Sequence, residues 1–516
     1  MHWAEVFANR LIKQDKKQIL ATGITPSGPI HIGNMREVIT TDAVYRLLIE
    51  KGSDAELIYI ADDFDHLRKL YPYLPKIYEN YIGMSISEIP CPCGKHKNYA
   101  DHYLYRFLES LKEIGITPKV YRAYDLYKSG FYKEAIQIAL DNSDKIRKII
   151  EKISKRKLQK NWLPFNIKCK NCKKLTNAKP VLYEGPYIEY KCSCGFEGQV
   201  DIKEGGVGKL PWRVDWPARW KLLNITFEPF GKDLATTGGA RDTGEVISKE
   251  IYNYTPPEYI SYEFILLKGK GAMHSSKGTA LSSEQMLNMT PPEVLRFLIM
   301  KNQPNKHILF DPGFGVLNLV DEYDQQERVY FGIEEKIKGM KDLKRTYELS
   351  QPHNISENIP FQLPYRHLVT LIQICKKWQD VKKILIRNNL IPDFLSKQDD
   401  QLLKKRSEHA SYWLDNFAPE NVKFKVKESL PKIKLEEIQI KFLKNFILKI
   451  KNIRWNADDI HNLIYKISEE TNIPINISFK TVYQIILGQE KGPRAGFFLS
   501  NLDKEFVLMR CKEAIN

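Results

Sequence analysis

Two hydrophobic periodicities alternate along the first part of the chain. Gln18-Ile19-Leu20-Ala21 is a short apolar run of the kind that forms a buried strand. After it, Met35, Val38, Ile39, Ala43, Leu47 and Leu48 recur at helical spacing until Gly52 ends the pattern. Leu57-Ile58-Tyr59-Ile60 then returns to strand character, so the unit reads strand, turn, helix, strand. A second strand-and-loop pattern begins at Tyr262-Glu263-Phe264-Ile265-Leu266-Leu267 and runs into Lys268 to Thr279. Beyond about Asp321 spacings of three and four dominate, as in Lys441 to Leu448, and strand-like runs are few, which predicts a helical bundle. Leu349 to Pro364, polar and proline-bearing, reads as a connecting stretch. There is no internal repeat or low-complexity segment.

Length and charge narrow the class. A chain of 516 residues has material for about three domains. It carries 79 Lys+Arg against 63 Asp+Glu, a formal charge of +16. Such an excess draws polyanions such as RNA; a genome rich in A and T, which favours lysine, produces the same imbalance. No apolar run is long enough to span a bilayer, and Met1-His2-Trp3-Ala4-Glu5-Val6 lacks a signal-peptide core, so the reading is cytoplasmic with no membrane partner.

Six of the eight cysteines come in tight pairs, which in a long chain without an export signal points to metal rather than disulfides. Cys169-Lys170-Asn171-Cys172 and Cys192-Ser193-Cys194-Gly195 have the spacing of thiolates that close a tetrahedron around Zn²⁺, Gly195 allowing the second knuckle to turn. Four thiolates leave no open position, so this zinc is structural. Cys91, Cys93, His96 and His102 form a second set with two thiolates and two imidazoles; zinc and an abandoned site both fit it. Cys375 and Cys511 read as packing or surface residues.

The candidate chemistry sits at the two strand–loop junctions. His31-Ile32-Gly33-Asn34, directly after the run from Thr22 to Ile30, puts an imidazole and an amide on a first helical turn whose free N–H groups favour an anion. That suits a nucleotide triphosphate, although a lone histidine there also reads as a helix cap. Lys268-Gly269-Lys270-Gly271-Ala272-Met273-His274-Ser275-Ser276-Lys277-Gly278-Thr279 combines glycines, hydroxyls and lysines after a strand, as a phosphate-binding loop does and as a solvated basic hairpin does. Both loops in this order, each after a strand, favour the first reading in each case.

Together they resemble the HIGH and KMSKS signatures of class I aminoacyl-tRNA synthetases, His31 to Asn34 being the first and Met273 to Gly278 the second. Leu210-Pro211-Trp212-Arg213-Val214-Asp215-Trp216-Pro217-Ala218-Arg219-Trp220, Phe230-Gly231-Lys232-Asp233 with Gly238-Gly239, and the ending from Gly492-Pro493-Arg494-Ala495-Gly496 to Phe506 resemble the class I lysyl-tRNA synthetase family over nearly the whole chain. The resemblance implies an α/β fold: a Rossmann-like parallel-sheet catalytic domain with a zinc-bearing insertion, followed by an all-α helical bundle. Residues 1–260 would be the nucleotide-binding domain with the insertion at about 85–210. Residues 261–330 would end the sheet and carry the lysine loop, and 331–516 would bind the anticodon. In the insertion a basic helix from Lys145 to Lys160 could meet phosphates of an acceptor stem, a solvated helix face being the default for such a run.

The activity implied is ATP-dependent conversion of lysine to lysyl-adenylate, then transfer to tRNA(Lys), with Mg²⁺ arriving on ATP. His31, Asn34 and Lys277 would be the catalytic residues. ATP would also meet Gly33, Met273, Ser275 and Ser276. Lysine would lie beside Gly23 and Thr25, its ammonium at carboxylates of the Asp62-Asp63-Phe64-Asp65 cluster (Asp63 and Asp65 foremost), its stem against Trp212, Trp216 and Tyr262. Asp215 is an alternative structural partner for Arg213 or Arg219. The family often has Asp-Pro-Phe-Gly-Cys-His near residue 91, so in Cys91-Pro92-Cys93-Gly94-Lys95-His96 a ligand has moved along the loop. Three further positions depart from the pattern: Ala272 for the lysine that opens the loop signature, His274 for its first serine, and Leu234 for a histidine, whose donor role Thr236 or Thr237 could take. Other readings are a noncatalytic tRNA-binding paralogue, a synthetase for another amino acid such as glutamate, and a nucleotidyltransferase without RNA.

Overall fold

In the computed structural model of the chain the described residues are 1–269, 271–273, 281–335 and 342–516. They form two compact units. The first comprises Met1–Leu287, Pro292–Phe310 and Glu335–Ile355; the second comprises Asn288–Pro291, Asp311–Glu334 and Ser356–Asn516.

The first unit opens with α1 (Trp3–Ile12), β1 (Gln18–Ile24), α2 (Ile32–Glu50), β2 (Ala55–Ala61), α3 (Tyr99–Glu113) and β3 (Lys119–Arg122). β2 lies between β1 and β3, parallel to both, with Leu20 beside Leu57 and Ile60 beside Tyr121. Parallel neighbours need crossovers, which α2 and α3 supply, and the central strand, covered on both sides, reads as a near-continuous apolar run. The predicted strand–turn–helix–strand unit is therefore present. α2 stops at Lys51, and Gly52 follows at φ +74°.

The chain continues through α4 (Ala123–Lys128), α5 (Lys133–Asp141) and α6 (Ser143–Ser154), then the short strands β4 (Asn166–Ile167), β5 (Ala178–Glu184), β6 (Tyr187–Cys192), β7 (Glu197–Asp201) and β8 (Gly208–Lys209). Ile146, Ile150, Phe165, Ile188, Tyr190 and Val200 share one core there. The basic helix ends six residues before its predicted limit. Lys155 turns left-handed at φ 57°, and Glu151 Oε1 accepts the Leu158 amide at 2.9 Å, so Arg156 and Lys157 lie beyond the helix. α7 (Trp212–Leu222) and α8 (Ala240–Glu250) pack together where Gly244 leaves room: a Cβ there would meet the Trp220 ring at 3.1 Å.

β9 (Phe230–Gly231) pairs in parallel with β10 (Ser261–Tyr262), and β11 (Ile265–Leu267) pairs with β12 (Gly271–Ala272) and β13 (Ile308–Phe310). The strand predicted over Tyr262–Leu267 is thus broken at Glu263-Phe264. The Glu263 amide bonds Pro304 O, and Arg36 of α2 donates to Glu263 O at 2.5 Å, which takes these groups out of a ladder.

The second unit is helical, with no strand among its described residues, as the spacing beyond Asp321 predicts. Phe442, Leu443 and Phe446 of the Glu437–Lys449 helix lie in one core with Ile460, Ile464, Ile467, Ile486 and Phe498.

The first unit is also tied by Arg296, fully buried, which bonds Leu349 O and Ile114 O and pairs with Asp42 at 2.7 Å. Asp42 retains Arg46 at 2.8 Å. Arg296→Met should therefore lower stability by about 3 kcal/mol in urea unfolding, because it strands the buried Leu349 and Ile114 carbonyls and takes from buried Asp42 one of its two cations. An unchanged midpoint would contradict that role.

Candidate active site

The turn between β1 and α2 forms a capping box. His31 is the N-cap; its Nδ1 accepts the Gly33 amide at 3.1 Å, and Asn34 Oδ1 accepts the His31 amide at 3.2 Å. The cap reading of this histidine is therefore the observed one. The imidazole fills the space beside Gly33, where a Cβ would meet the ring at 2.7 Å. Both flanks of the second loop reach this turn. Met273 lies over Gly33, the Ile32 amide bonds Leu281 O at 3.1 Å, and the Ser283 amide bonds Ile30 O at 3.2 Å. Met273, Leu281 and Ser283, some 240 residues further along the chain, are thus neighbours of this turn in space. His274, Ser275, Ser276 and Lys277 lie outside the described residues.

One turn along α2 from Asn34 is Glu37, which the sequence reading missed. Its Oε1 accepts from Thr22 Oγ1 at 2.7 Å and the Gly23 amide at 3.1 Å, and its Oε2 accepts from Tyr262 Oη at 2.7 Å. No Lys, Arg or His pairs with it among the described residues. Crowding by protein desolvates the carboxylate and pushes its pKa up to about 7, against the pull of these three neutral donors. The residue nonetheless keeps part of its surface open to solvent. Asn34 and Glu37 line one small cavity with Thr22, Gly23 and Tyr59, whose buried hydroxyl has no partner among the described residues. Gly23 is required beside it, since a Cβ would meet Ile60 O at 2.4 Å. Tyr262, assigned from sequence to an apolar wall, instead turns its hydroxyl to Glu37.

The aspartates at the end of β2 are occupied. Asp63, fully buried, accepts from Arg122 Nε at 2.5 Å, the Tyr124 amide at 2.8 Å and Ser87 Oγ at 2.9 Å. Asp65 takes Lys209 Nζ at 2.6 Å and Thr25 Oγ1 at 3.0 Å. Asp62 bonds Lys209 at 3.2 Å and Arg219 at 3.3 Å; burial opposes its ionisation, but the two cations hold its pKa at about 2. The sequence-based assignment of Asp63 and Asp65 to a substrate ammonium is corrected accordingly: the chain's own cations already take their charge. Thr25 is tied into this network. Asp215 pairs with Arg219 and accepts the Tyr127 hydroxyl, so its structural alternative is the observed one.

Trp212 is 39% exposed and stacks on buried Trp216, centroids 5.2 Å apart. The indole N–H groups of Trp216 and Trp220 both donate to Glu228, at 2.9 and 2.6 Å. Trp216 thus backs the partly exposed Trp212 ring, which the Arg219 guanidinium also approaches, 5.6 Å from its centroid. Leu234 packs against the apolar cluster of Ile58, Ile60 and Trp216, and the Thr236 hydroxyl donates to Asp233 O.

With this geometry established, comparison with known proteins is decisive. The profile of a family described as "tRNA synthetases class I (K)" matches residues 1–353, and one described as "Anticodon binding domain" matches 401–515. A protein named Lysine--tRNA ligase from Methanosarcina barkeri is 45% identical over 538 aligned positions, covering 100% of this chain and 98% of its own length. The chain belongs to the class I lysyl-tRNA synthetase family. Proteins of the same name from Archaeoglobus fulgidus (41% identical, 100% of both chains) and Methanocaldococcus jannaschii (44%, 99% of both) match equally fully.

Both cysteine-bearing sets predicted from sequence converge in this family member. Cys169 and Cys194 Sγ are 3.7 Å apart, as are those of Cys172 and Cys192. A tetrahedron with Zn–S bonds of about 2.3 Å has edges of about 3.8 Å, so the four thiols fit the ion. Lys173 at φ 61° and Gly195 at φ +84° make the two knuckle turns. In the other set Cys91 and Cys93 lie 3.4 Å apart and 3.2–3.6 Å from Nδ1 of His96 and His102, again a tetrahedral fit.

In the second unit a cavity of about 880 Å³ is lined by Arg366, His367, Arg387, Arg454, Trp455 and Arg494, among others. The His367 ring stacks on Phe497 at 4.2 Å, and its buried Nδ1 has no partner among the described residues.

The electrostatics of Glu37 are testable without substrate. A carboxyl with a raised folded pKa contributes stability that is present at low pH and lost as pH rises toward 7. Glu37→Gln, permanently neutral, should gain on the wild-type chain between pH 5 and pH 8 in urea unfolding. A pH-independent difference would contradict the raised pKa.

Proposed function

We infer that the chain is a lysine–tRNA ligase: it activates lysine with ATP and transfers it to tRNA(Lys). The observation that carries this reading is Glu37, a desolvated carboxylate held only by neutral donors one helical turn from the His31–Asn34 nucleotide turn. A ligand ammonium supplies the counter-charge that the chain does not, and Tyr262 Oη fixes the carboxylate for it. A glutamate side chain would meet repulsion at the same place, which disfavours that alternative. The aliphatic stem of lysine lies against Trp212, backed by Trp216, with Gly23 and Thr25 beside it.

In the first step the lysine carboxylate attacks the α-phosphorus of ATP in line and pyrophosphate leaves. No protein nucleophile is needed; the chain positions the reactants and neutralises charge as it moves to the leaving phosphates. His31 and Asn34 donate to the phosphates from the start of α2, and Lys277, with Ser275 and Ser276, completes the charge from the second loop. Mg²⁺ arrives with ATP. A noncatalytic paralogue has no reason to keep both His31 and Lys277, and an RNA-independent nucleotidyltransferase has no use for an anticodon-binding domain.

The tRNA engages both units. In the second, the cationic and aromatic cavity suits an unstacked base of the anticodon loop, with His367 Nδ1 free to read its edge. In the first, Lys148 and Lys152 of α6 are available to phosphates, whereas Lys145 pairs with Glu250 and Arg147 with Asp144 and Glu151. Zinc in the Cys169 and Cys91 sets supplies structural cross-links. The cytoplasm is the location that goes with a tRNA substrate.

Aminoacylation with purified protein, ATP, tRNA and each amino acid in turn should charge lysine alone. His31→Ala and Lys277→Ala should each slow adenylate formation by about 100-fold or more while tRNA affinity stays within about two-fold. Equal loss of binding and rate would assign those residues to RNA or to the fold. The purified chain should carry two zinc ions by elemental analysis, and Cys172→Ser should lose one and melt earlier. A chain without zinc, and equally stable, would refute the cross-link.

A further inference from the structure

The Cys91 set does more than close a loop. Its ligands bracket the start of α3: Cys91, Cys93 and His96 precede the helix, and His102 lies in its first turn. Between them stands Tyr99, fully buried, whose hydroxyl donates at 2.7 Å to the carbonyl of Ser27. Tyr73 donates to the same oxygen at 3.3 Å. Ser27 belongs to the segment between β1 and His31, and its own amide bonds Thr25 O at 2.8 Å. The chain from the convergent thiols and imidazoles to the nucleotide turn is therefore short: loop 91–98, the first residue of α3, one hydrogen bond, and the backbone four residues before His31.

The Tyr99 ring packs in a core with Leu67, Tyr71, Ile86 and Tyr103, and its backbone is held by contacts close in sequence. Asn98 caps α3 by accepting the Asp101 amide at 2.9 Å, the Tyr99 amide bonds Ile89 O, and the Tyr78 hydroxyl holds Pro90 O at 2.8 Å. Cys93 is exposed. Without an ion the four ligand atoms have only weak thiol contacts to hold them at 3.2–3.6 Å. With one, the loop and the first turn of α3 become a single rigid body, because structural zinc contributes folding free energy outright.

We propose that Tyr99 is a positioning residue for the nucleotide turn, and that a metal ion on Cys91, Cys93, His96 and His102 sets its hold on Ser27. The proposal rests on the reading of His31–Asn34 as the ATP site. The ion takes no part in the reaction; nucleotide affinity reads its presence through one hydrogen bond.

Binding of a non-hydrolysable ATP analogue to the full chain, measured by calorimetry, tests this. Tyr99→Phe should weaken the analogue about five-fold, the loss expected for one positioning hydrogen bond, and leave lysine affinity within about two-fold. Cys93→Ser should lower the zinc content by one ion per chain and weaken the analogue similarly, and Tyr99→Phe added to it should cost little more. Unchanged analogue affinity in Tyr99→Phe would overturn the positioning role. Full additivity of the two variants, or zinc loss without loss of affinity, would overturn the link to the metal. Equal weakening of analogue and lysine with a fallen melting temperature would show a merely structural role. His31→Ala separates the two levels: if the analogue still binds that variant normally, the nucleotide assignment itself is wrong. Should Cys93→Ser fail to fold, zinc titration into metal-stripped wild-type and Tyr99→Phe chains decides, since added zinc should restore analogue affinity in the first and not in the second.

Discussion

Glu37 accepts hydrogen bonds from a threonine, a backbone amide and a tyrosine, and from no cation among the described residues. Desolvating a carboxylate in this way is costly, and the cost is tolerated where a ligand is to remove it. Much of the first unit is arranged around that carboxylate. The parallel pairing of β1 with β2 presses Gly23 against Ile60, so that the Gly23 amide points to Glu37. Arg36, its neighbour in sequence, donates to four carbonyls, those of Glu263, Gln303, Pro304 and Lys306. Consecutive residues of α2 thus hold the backbone after Tyr262 and the Tyr262 hydroxyl itself. The same helix starts at the His31 cap. One rigid element therefore sets the distance between the His31 cap and the Glu37 carboxylate.

The network at the end of β2 shows the opposite solution. Asp62, Asp65 and Asp215 share Lys209 and Arg219, all but Asp65 buried, and Asp63 holds Arg122. Breaking one member of such a set leaves an uncompensated charge, so its worth lies in fixing geometry, here that of the Thr25 hydroxyl on Asp65. Two groups of carboxylates lie near one site. Those that are neutralised internally build the frame, and the one that is not remains available to a cation.

The sequence carried whatever is local. Strand, turn and helix around His31, the helical second unit, and both sets of metal-capable ligands follow from spacing, because each depends on residues close in the chain. The aspartates misled because their partners are remote: Lys209 is 147 residues from Asp62, and Arg122 is 59 from Asp63. Composition cannot reveal that an acid is already paired. Glu37 was passed over because a single glutamate in a helix usually faces water. Its signal was positional. Asn34 and Glu37 are three apart and share a helix face, so a site that uses the first also sees the second. The break in the strand at Glu263-Phe264 was equally hidden, since it is imposed by Arg36 from another element. Leu234 packs against Ile58, Ile60 and Trp216, a contact with remote residues that its sequence position does not reveal.

Proton release on lysine binding tests the central claim most directly. Calorimetric titration at pH 6 in buffers of differing ionisation enthalpy measures it. If Glu37 is the ammonium partner, close to one proton leaves per lysine bound at pH 6, few leave at pH 8, and affinity rises between the two. Glu37→Gln should abolish the release. A proton count near zero at pH 6, with lysine bound tightly, would show that another group meets the ammonium and that the account of this pocket is wrong.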